Sequence, residues 1–355
     1  MRYVLIFIFA IFSLAAQKLK YDEVNSDPKL PLVAIVTTGG TIAEKFDPKS
    51  GGLVSALSGK DLIGNIPELK KYANFRVYSF SSIDSSQMTP EIWLRLSETV
   101  DEILADPNVR GVVITHGTDT MAEGAFFLDL TLSSNKPVAF TGAMRPASNP
   151  YSDGPPNLIE AVLQICSNRS KDWGVTITMN SYVNSARTVM KTQTTNPQTF
   201  ESKEKGYLGY IHDRKVHRFN DRLYRMHLPR PKKLPRIDII FDYAGADGSA
   251  LRYAVDTGAE GVVVEGMGSG NVNKPMYEAI KYAINKGIPV VITTNVYYGA
   301  VHADYSDAGG GESLKKLGVI LSGDLRASKS RLLLMLSLPE VGKNWKKMEK
   351  YFNLP

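Results

Sequence analysis

The strongest constraint on this chain is a recurring pattern. Apolar runs stop abruptly in Gly and Thr, and a helix-forming stretch follows. Residues 112–127, VVITHGTDTMAEGAFF, are the clearest case: an apolar strand ends at His116, Gly117, Thr118, Asp119 and Thr120 before a helix begins. LVAIVTT, closed by Gly39 and Gly40, reads the same way, as do FRVYSFSSID, VAFTGA and GVTITMN. Strands of this kind with helices between them build a parallel sheet covered on both faces. Between the second and third strands, Thr89-Pro90-Glu91 predicts a helix start, with Thr as cap and Pro at the first helical position. Trp93, Leu96, Val100, Ile103 and Leu104 then form one apolar face.

A second alternation follows the Pro-rich RPKKLPR at residues 230–236: IDIIFDY, GVVVEG, IPVVITTN, GVILSG and a last helix, SKSRLLLMLSL. The expected fold is therefore α/β with two domains. A larger N-terminal unit (residues 30–220) has a parallel-type sheet flanked by helices. A linker (221–236) leads to a smaller, flavodoxin-like α/β unit (237–355). The 355 residues, 43% hydrophobic and 22% charged, are enough for two such cores. In such sheets ligands bind beyond the carboxyl ends of the strands, so the strand-end motifs share one address.

The first residues, MRYVLIFIFAIFSLAAQ, carry one Arg, an apolar run and then small residues. They read as a signal peptide over residues 1–16, cleaved after Ala15 or Ala16. An uncleaved anchor is the alternative, but the run is shorter than the roughly 20 residues a span needs. Secretion or export to a periplasm is expected, with no membrane attachment after cleavage. Cys166 is the only cysteine, so an intrachain disulfide is impossible; its apolar surroundings suggest a core residue. Much of the +6 formal charge lies in residues 212–233. Acidic residues interrupt that run, so a solvated hairpin and linker are expected there rather than a nucleic-acid surface.

At the strand ends the side chains suit acyl transfer. Thr41 follows two glycines that let the backbone turn tightly. Thr118 and Asp119 close another strand, and Lys191 lies in ARTVMKTQTTN. A hydroxyl nucleophile needs a base, and Lys can serve if its pKa is depressed. Each has a plainer reading: Thr-Gly-Gly-Thr as a turn, Asp119 as a helix cap, Lys191 as a surface residue. GMGSGN at residues 266–271 has the wrong spacing for a dinucleotide fingerprint. No paired His or Cys has metal-ligand spacing, so neither metal nor cofactor is expected.

Taken together and in order, VTTGGTIA, ITHGTDTMAEGAFFLDLT, KPVAFTGAMRP, SDGPPNL, the Lys191 segment, GYLGYIH and GMGSGN resemble the L-asparaginase family, in particular its secreted type II members. The resemblance runs from Leu32 to the C-terminus and implies hydrolysis of L-asparagine to L-aspartate and ammonia. Thr41 matches the family's nucleophile, and Thr118, Asp119 and Lys191 its second catalytic trio. Asp119 would also meet the substrate ammonium. Ser85 would bind the α-carboxylate, with Ser86 its neighbour, and the Ala143 main chain would bind the amide. Asn271 would reach the site from a neighbouring subunit, and a homotetramer with sites at the dimer interface is implied.

Two departures stand out. The family's loop Tyr is missing, its place falling near Gly52, and so is the Glu that a neighbouring subunit supplies. Tyr305 lies where that Glu segment should be. It either enters the neighbouring site in place of the loop Tyr or packs the subunit interface. Three alternatives stay open: a glutaminase-asparaginase, a catalytically weak amino-acid-binding relative, and a subunit of a tRNA-dependent amidotransferase, whose extra N-terminal domains this chain lacks.

Overall fold

A computed structural model describes residues 19–55, 57–223, 225–342 and 344–352. The expected signal peptide lies outside the described residues. Among these, no helix is long and apolar enough to cross a membrane.

The first domain is built on strands β1 (Asp22–Val24), β2 (Leu32–Thr37), β3 (Glu44–Asp47), β4 (Gly52–Ser55), β5 (Asn74–Ser79), β6 (Val109–Thr115), β7 (Val138–Thr141), β8 (Val175–Met179), β9 (Tyr182–Ser185), β10 (Met190–Lys191), β11 (Phe200–Glu201), β12 (Gly209–His212) and β13 (Lys215–Arg218). Its nine-stranded sheet runs β1-β5-β2-β6-β7-β8-β9-β12-β13. The five central strands pair in parallel. The margins are antiparallel, so the sheet is mixed rather than wholly parallel. Helices α1 (Gly59–Gly64), α2 (Pro90–Leu104), α3 (Met121–Thr131) and α4 (Gly154–Cys166) cover it. On one face α2 and α3 pack Trp93, Leu96, Val100 and Phe127 against Val112, Ile114 and Phe140. On the other, α1 and α4 pack Leu62, Ile63, Leu158 and Val162 against Val33, Ile35 and Val113.

Helix α2 starts where its sequence predicts. Thr89 caps it by accepting from Ile92 N, Pro90 is its first residue, and all five residues of the expected apolar face are buried. The segment after Thr41, where the family's loop Tyr would fall, forms the hairpin β3–β4, with Glu44 opposite Ser55 and Asp47 opposite Gly52. Phe46, its one large aromatic residue, is exposed.

The basic stretch begins as the expected hairpin, β12–β13. Two arginines after it, Arg222 and Arg230, are largely covered rather than solvated. Arg222 pairs with the mostly covered Asp129 at 3.0 Å, and Arg230 Nη1 reaches Asp101 at 2.7 Å and Ser97 Oγ at 3.1 Å. They pin the connecting segment to the first domain.

The second domain is a four-stranded parallel sheet of β14 (Ile237–Phe241), β15 (Gly261–Gly266), β16 (Val290–Thr294) and β17 (Ile320–Leu321). It is covered by α5 (Ser249–Asp256), α6 (Lys274–Asn285), α7 (Gly311–Lys316) and α8 (Ala327–Val341). Helix α8 also packs on α3, joining the domains. Its buried Lys329 donates to the carbonyls of Ala186 and Arg187 at 2.8 and 3.0 Å and to Val189 O at 2.5 Å, fixing the segment that leads to Lys191.

Candidate active site

Three parallel strands, β2, β6 and β7, end side by side, and their backbones remain joined past the sheet. Thr38 N donates to Thr115 O at 3.1 Å, and His116 N to Thr141 O at 2.9 Å. The close approach requires glycine. A Cβ on Gly40, whose φ is +87°, would lie 2.5 Å from Gly117 Cα and N. One on Gly142 would lie 2.5 Å from His116 O. The next residues, Thr41 and Thr118, are thereby brought to adjacent turns.

Thr41 opens a short 3₁₀ turn, Thr41–Ala43, and lies partly buried at the surface. Thr118 is 8% exposed. Lys191, on β10, donates from Nζ to Thr118 Oγ1 at 2.9 Å and to Asp119 Oδ1 at 2.7 Å. The Asp119 and Lys191 side chains are 63% and 21% exposed. An ion pair that open contributes about 1 kcal/mol or less to stability, so the arrangement is poorly explained as a device for folding. The helix cap beside it is Thr120, not Asp119, which turns to Lys191 instead.

Ser85 is buried at the floor of this cluster. Its Oγ accepts from Asp119 N at 3.2 Å, and its carbonyl accepts from Thr120 Oγ1 at 2.7 Å. The Asp119 N–H is thus engaged by Ser85. Ser86 is exposed next to it, while Ala143 is buried. The loop carrying Ala143 is held by Asp153, whose carboxylate accepts from Met144 N at 3.0 Å and Arg145 N at 2.9 Å, and by Asn157, which donates to Gly142 O at 2.9 Å.

Asn271 and Tyr305 are not part of this cluster; both belong to the second domain. Asn271 closes the GMGSGN turn by exchanging backbone hydrogen bonds of 2.8 Å with Met267. Its buried Oδ1 has no hydrogen-bond partner among the described residues. Tyr305 is 55% exposed, and its carbonyl accepts from Glu312 N at 2.9 Å.

Three supporting residues are not evident from the sequence. His116 is fully buried, and burial pushes its pKa down to about 4, so it is neutral at ordinary pH. Its Nδ1 lies 2.7 Å from Gly117 O, the donor in the neutral tautomer, while Nε2 takes a long 3.5 Å contact from Trp93 Nε1. It therefore orients the turn before Thr118 rather than moving protons. Asp153 stands in the sequence only as one letter of SDGPPNL, with nothing to mark it as the anchor of the Ala143 loop. Glu44, three residues after Thr41, is buried; the one local signal for it is a charge at 3₁₀ spacing from the candidate nucleophile.

A mixed α/β sheet with a small parallel-sheet domain, and hydroxyls, a lysine and a carboxylate gathered at its strand ends, defines a class of two-domain α/β proteins with a polar strand-end site. The comparisons with known proteins narrow that class. The family model described as "Asparaginase, N-terminal" matches residues 32–224, and "Glutaminase/Asparaginase C-terminal domain" matches residues 236–352. L-asparaginase 2 of Escherichia coli is 36% identical over 334 residues, covering 91% of this chain and 93% of its own length. The probable periplasmic L-asparaginase of Haemophilus influenzae is 37% identical over 333 residues, again covering 91% and 93%. The crystal structure of a probable cytoplasmic L-asparaginase from Campylobacter jejuni superposes with a TM-score of 0.81 at 38% identity, covering 91% of this chain and 99% of that one. The chain belongs to the L-asparaginase family.

Proposed function

We propose that this protein hydrolyses L-asparagine to L-aspartate and ammonia through an ester on Thr41. The observation that carries the reading is the Lys191–Thr118–Asp119 cluster, set one glycine contact away from the Thr41 turn. Asparagine carries an ammonium and a carboxylate on one carbon and a neutral amide two bonds away. The Asp119 carboxylate complements the ammonium. Ser85 and Ser86 supply hydroxyls for the carboxylate, and the main chain at Ala143 meets the amide. Thr41 attacks the amide carbon, ammonia leaves, and water cleaves the ester. Thr118, with Lys191 holding its oxygen, supports the hydroxyl chemistry of these steps.

Asn271 and Tyr305 join this site only from a neighbouring copy, which is why a homotetramer with sites at the dimer interface belongs to the proposal. The unpartnered Asn271 Oδ1 and the exposed Tyr305 ring fit such a contact. Residues 1–16 are proposed as a signal peptide that delivers the protein to the periplasm or the medium. Domain limits of 30–220 and 237–355, with a linker at 221–236, complete the reading.

The test is ammonia release by purified protein lacking residues 1–16, with asparagine and glutamine compared. Turnover of asparagine supports the reading, whereas tight binding without ammonia release points to the amino-acid-binding alternative. Glutamine differs by one methylene, worth about 1–3 kcal/mol in a pocket, so its rate sets the asparagine-to-glutamine ratio.

A further inference from the structure

The hairpin after Thr41 places an acid next to its turn. In a 3₁₀ turn, residues i and i+3 eclipse one another. Glu44 ends the Thr41–Ala43 turn, and its backbone N–H donates to Thr41 O, so its side chain stands over that of Thr41. Ala147 N donates to Glu44 O at 3.0 Å, and Glu44 sits opposite Ser55 in the hairpin, which fixes its direction. Glu44 is 8% exposed. Thr41 and Asp84 are the side chains that act on its carboxyl group, Asp84 raising its pKa and Thr41 lowering it.

Asp84 is held there by a second close approach. Ile83 N donates to Thr38 O at 3.1 Å. A Cβ on Gly39, whose φ is +109°, would lie 2.6 Å from Ile83 N and O. The turn after β2, which leads to Thr41 and Glu44, and the loop after β5, which leads to Asp84, therefore touch through bare backbone. A second carboxyl nearby disfavours the charged form of Glu44. Burial raises the Glu44 pKa first; the hydrogen bond and charge of Asp84 raise it further, and the Thr41 bond opposes them. Among the described residues, Asp84 is the charged group acting on that carboxyl. A carboxylate with a raised pKa is a better base near neutral pH than a free one.

Resting on the reading of Thr41 as nucleophile, we propose that Glu44 is its acid–base partner, filling the role left by the missing loop Tyr, and that Asp84 positions and tunes Glu44. As the Thr41 oxygen bonds to the amide carbon, its proton passes to Glu44. Glu44 then protonates the amide nitrogen, and the carbon–nitrogen bond breaks to release ammonia. In the second half, water adds to the ester carbon. One of its protons returns through Glu44 to the Thr41 oxygen, and the new carboxyl group loses its own proton to solvent. Nothing beyond water is consumed.

The experiment compares the full-length mature protein with Glu44→Gln, Asp84→Asn, Tyr305→Phe and Thr41→Ala, reading kcat, KM and the pH profile of kcat/KM with asparagine. Glu44→Gln should lower kcat about 10²-fold with KM little changed, the size expected for a lost acid–base group. Asp84→Asn removes a cause of the raised Glu44 pKa, so the acidic limb of the profile should move to lower pH while turnover persists. A purely structural Glu44 would not move that limb. This second variant also keeps the test open if Glu44→Gln folds poorly. An unshifted profile in Asp84→Asn, or wild-type turnover in Glu44→Gln, overturns the proposal. So does a 10²-fold loss confined to Tyr305→Phe, which assigns the proton to Tyr305. Normal turnover in Thr41→Ala has a different meaning: it removes the nucleophile reading itself, whatever Glu44→Gln does.

Discussion

Lowering the pH should unfasten the strand-end turn through His116. The ordinary pKa of histidine is 6.5, and burial in this fold pushes that of His116 down to about 4. The folded state thus resists a proton that the unfolded chain accepts. The stability from keeping the ring neutral is complete above pH 6.5 and is lost progressively as pH falls from 6.5 to about 4. Each pH unit crossed in that window is worth about 1.4 kcal/mol, so the loss is about 1.4 kcal/mol by pH 5.5 and about 3 kcal/mol by pH 4. The hydrogen bond to Gly117 O favours the charged ring but does not cancel the cost of burial. The rest of the pocket is apolar or a donor, with Phe140 packed at a centroid distance of 5.7 Å and the Trp93 indole facing Nε2. The assay is denaturant unfolding from pH 7 to pH 4 on wild type and His116→Gln. Carboxylates elsewhere contribute equally to both proteins, so the difference in slope isolates His116. The variant should be less stable at pH 7, yet lose about 3 kcal/mol less on acidification. An imidazole titrating near 6.5 by NMR, or parallel slopes in the two proteins, refutes the reasoning.

Thr118→Val and Lys191→Met should each lower turnover by about 10²-fold or more while leaving the unfolding transition near wild type, because the ion pair at Lys191 is open to solvent; steady-state kinetics beside thermal melts decides this. Gly40→Ala forces a side chain into the left-handed region and onto the Gly117 backbone. It should cost about 2 kcal/mol or more and abolish turnover, whereas Gly51→Ala, with open space around it, should show only the backbone strain. Sedimentation at assay concentration should show a tetramer, and dilution to monomers should remove activity; a fully active monomer would exclude contributions from Asn271 and Tyr305 of a second copy.

What could be read from the sequence follows a physical rule. Helix α2 was legible to the residue because its start and its buried stripe are both written locally, in Thr89-Pro90 and in the spacing from Trp93 to Leu104. The central strands were legible because strands buried on both faces are continuous apolar runs. The sheet margins were not: β1, β9, β12 and β13 are short, partly polar strands whose direction is set by pairing with their neighbours in the sheet. The arginines at positions 222 and 230 looked solvated because their carboxylates, Asp129 and Asp101, lie about a hundred residues away. At the site, the motifs named Thr118, Asp119 and Lys191, and the structure brings those three into contact. Glu44 and Asp84 were missed for the same reason as the arginines: the segments that carry them meet only where Gly39 lets two loops touch.

The central claim is an ester on Thr41. Protein mixed with asparagine, quenched in acid within a turnover and digested, should show by mass spectrometry an aspartyl group on the peptide that contains Thr41. It should accumulate more in Thr118→Val if that hydroxyl serves the second half-reaction. An aspartyl group found instead on the peptide containing Thr118, or ammonia released in a full turnover with Thr41 replaced by Ala, would contradict the account.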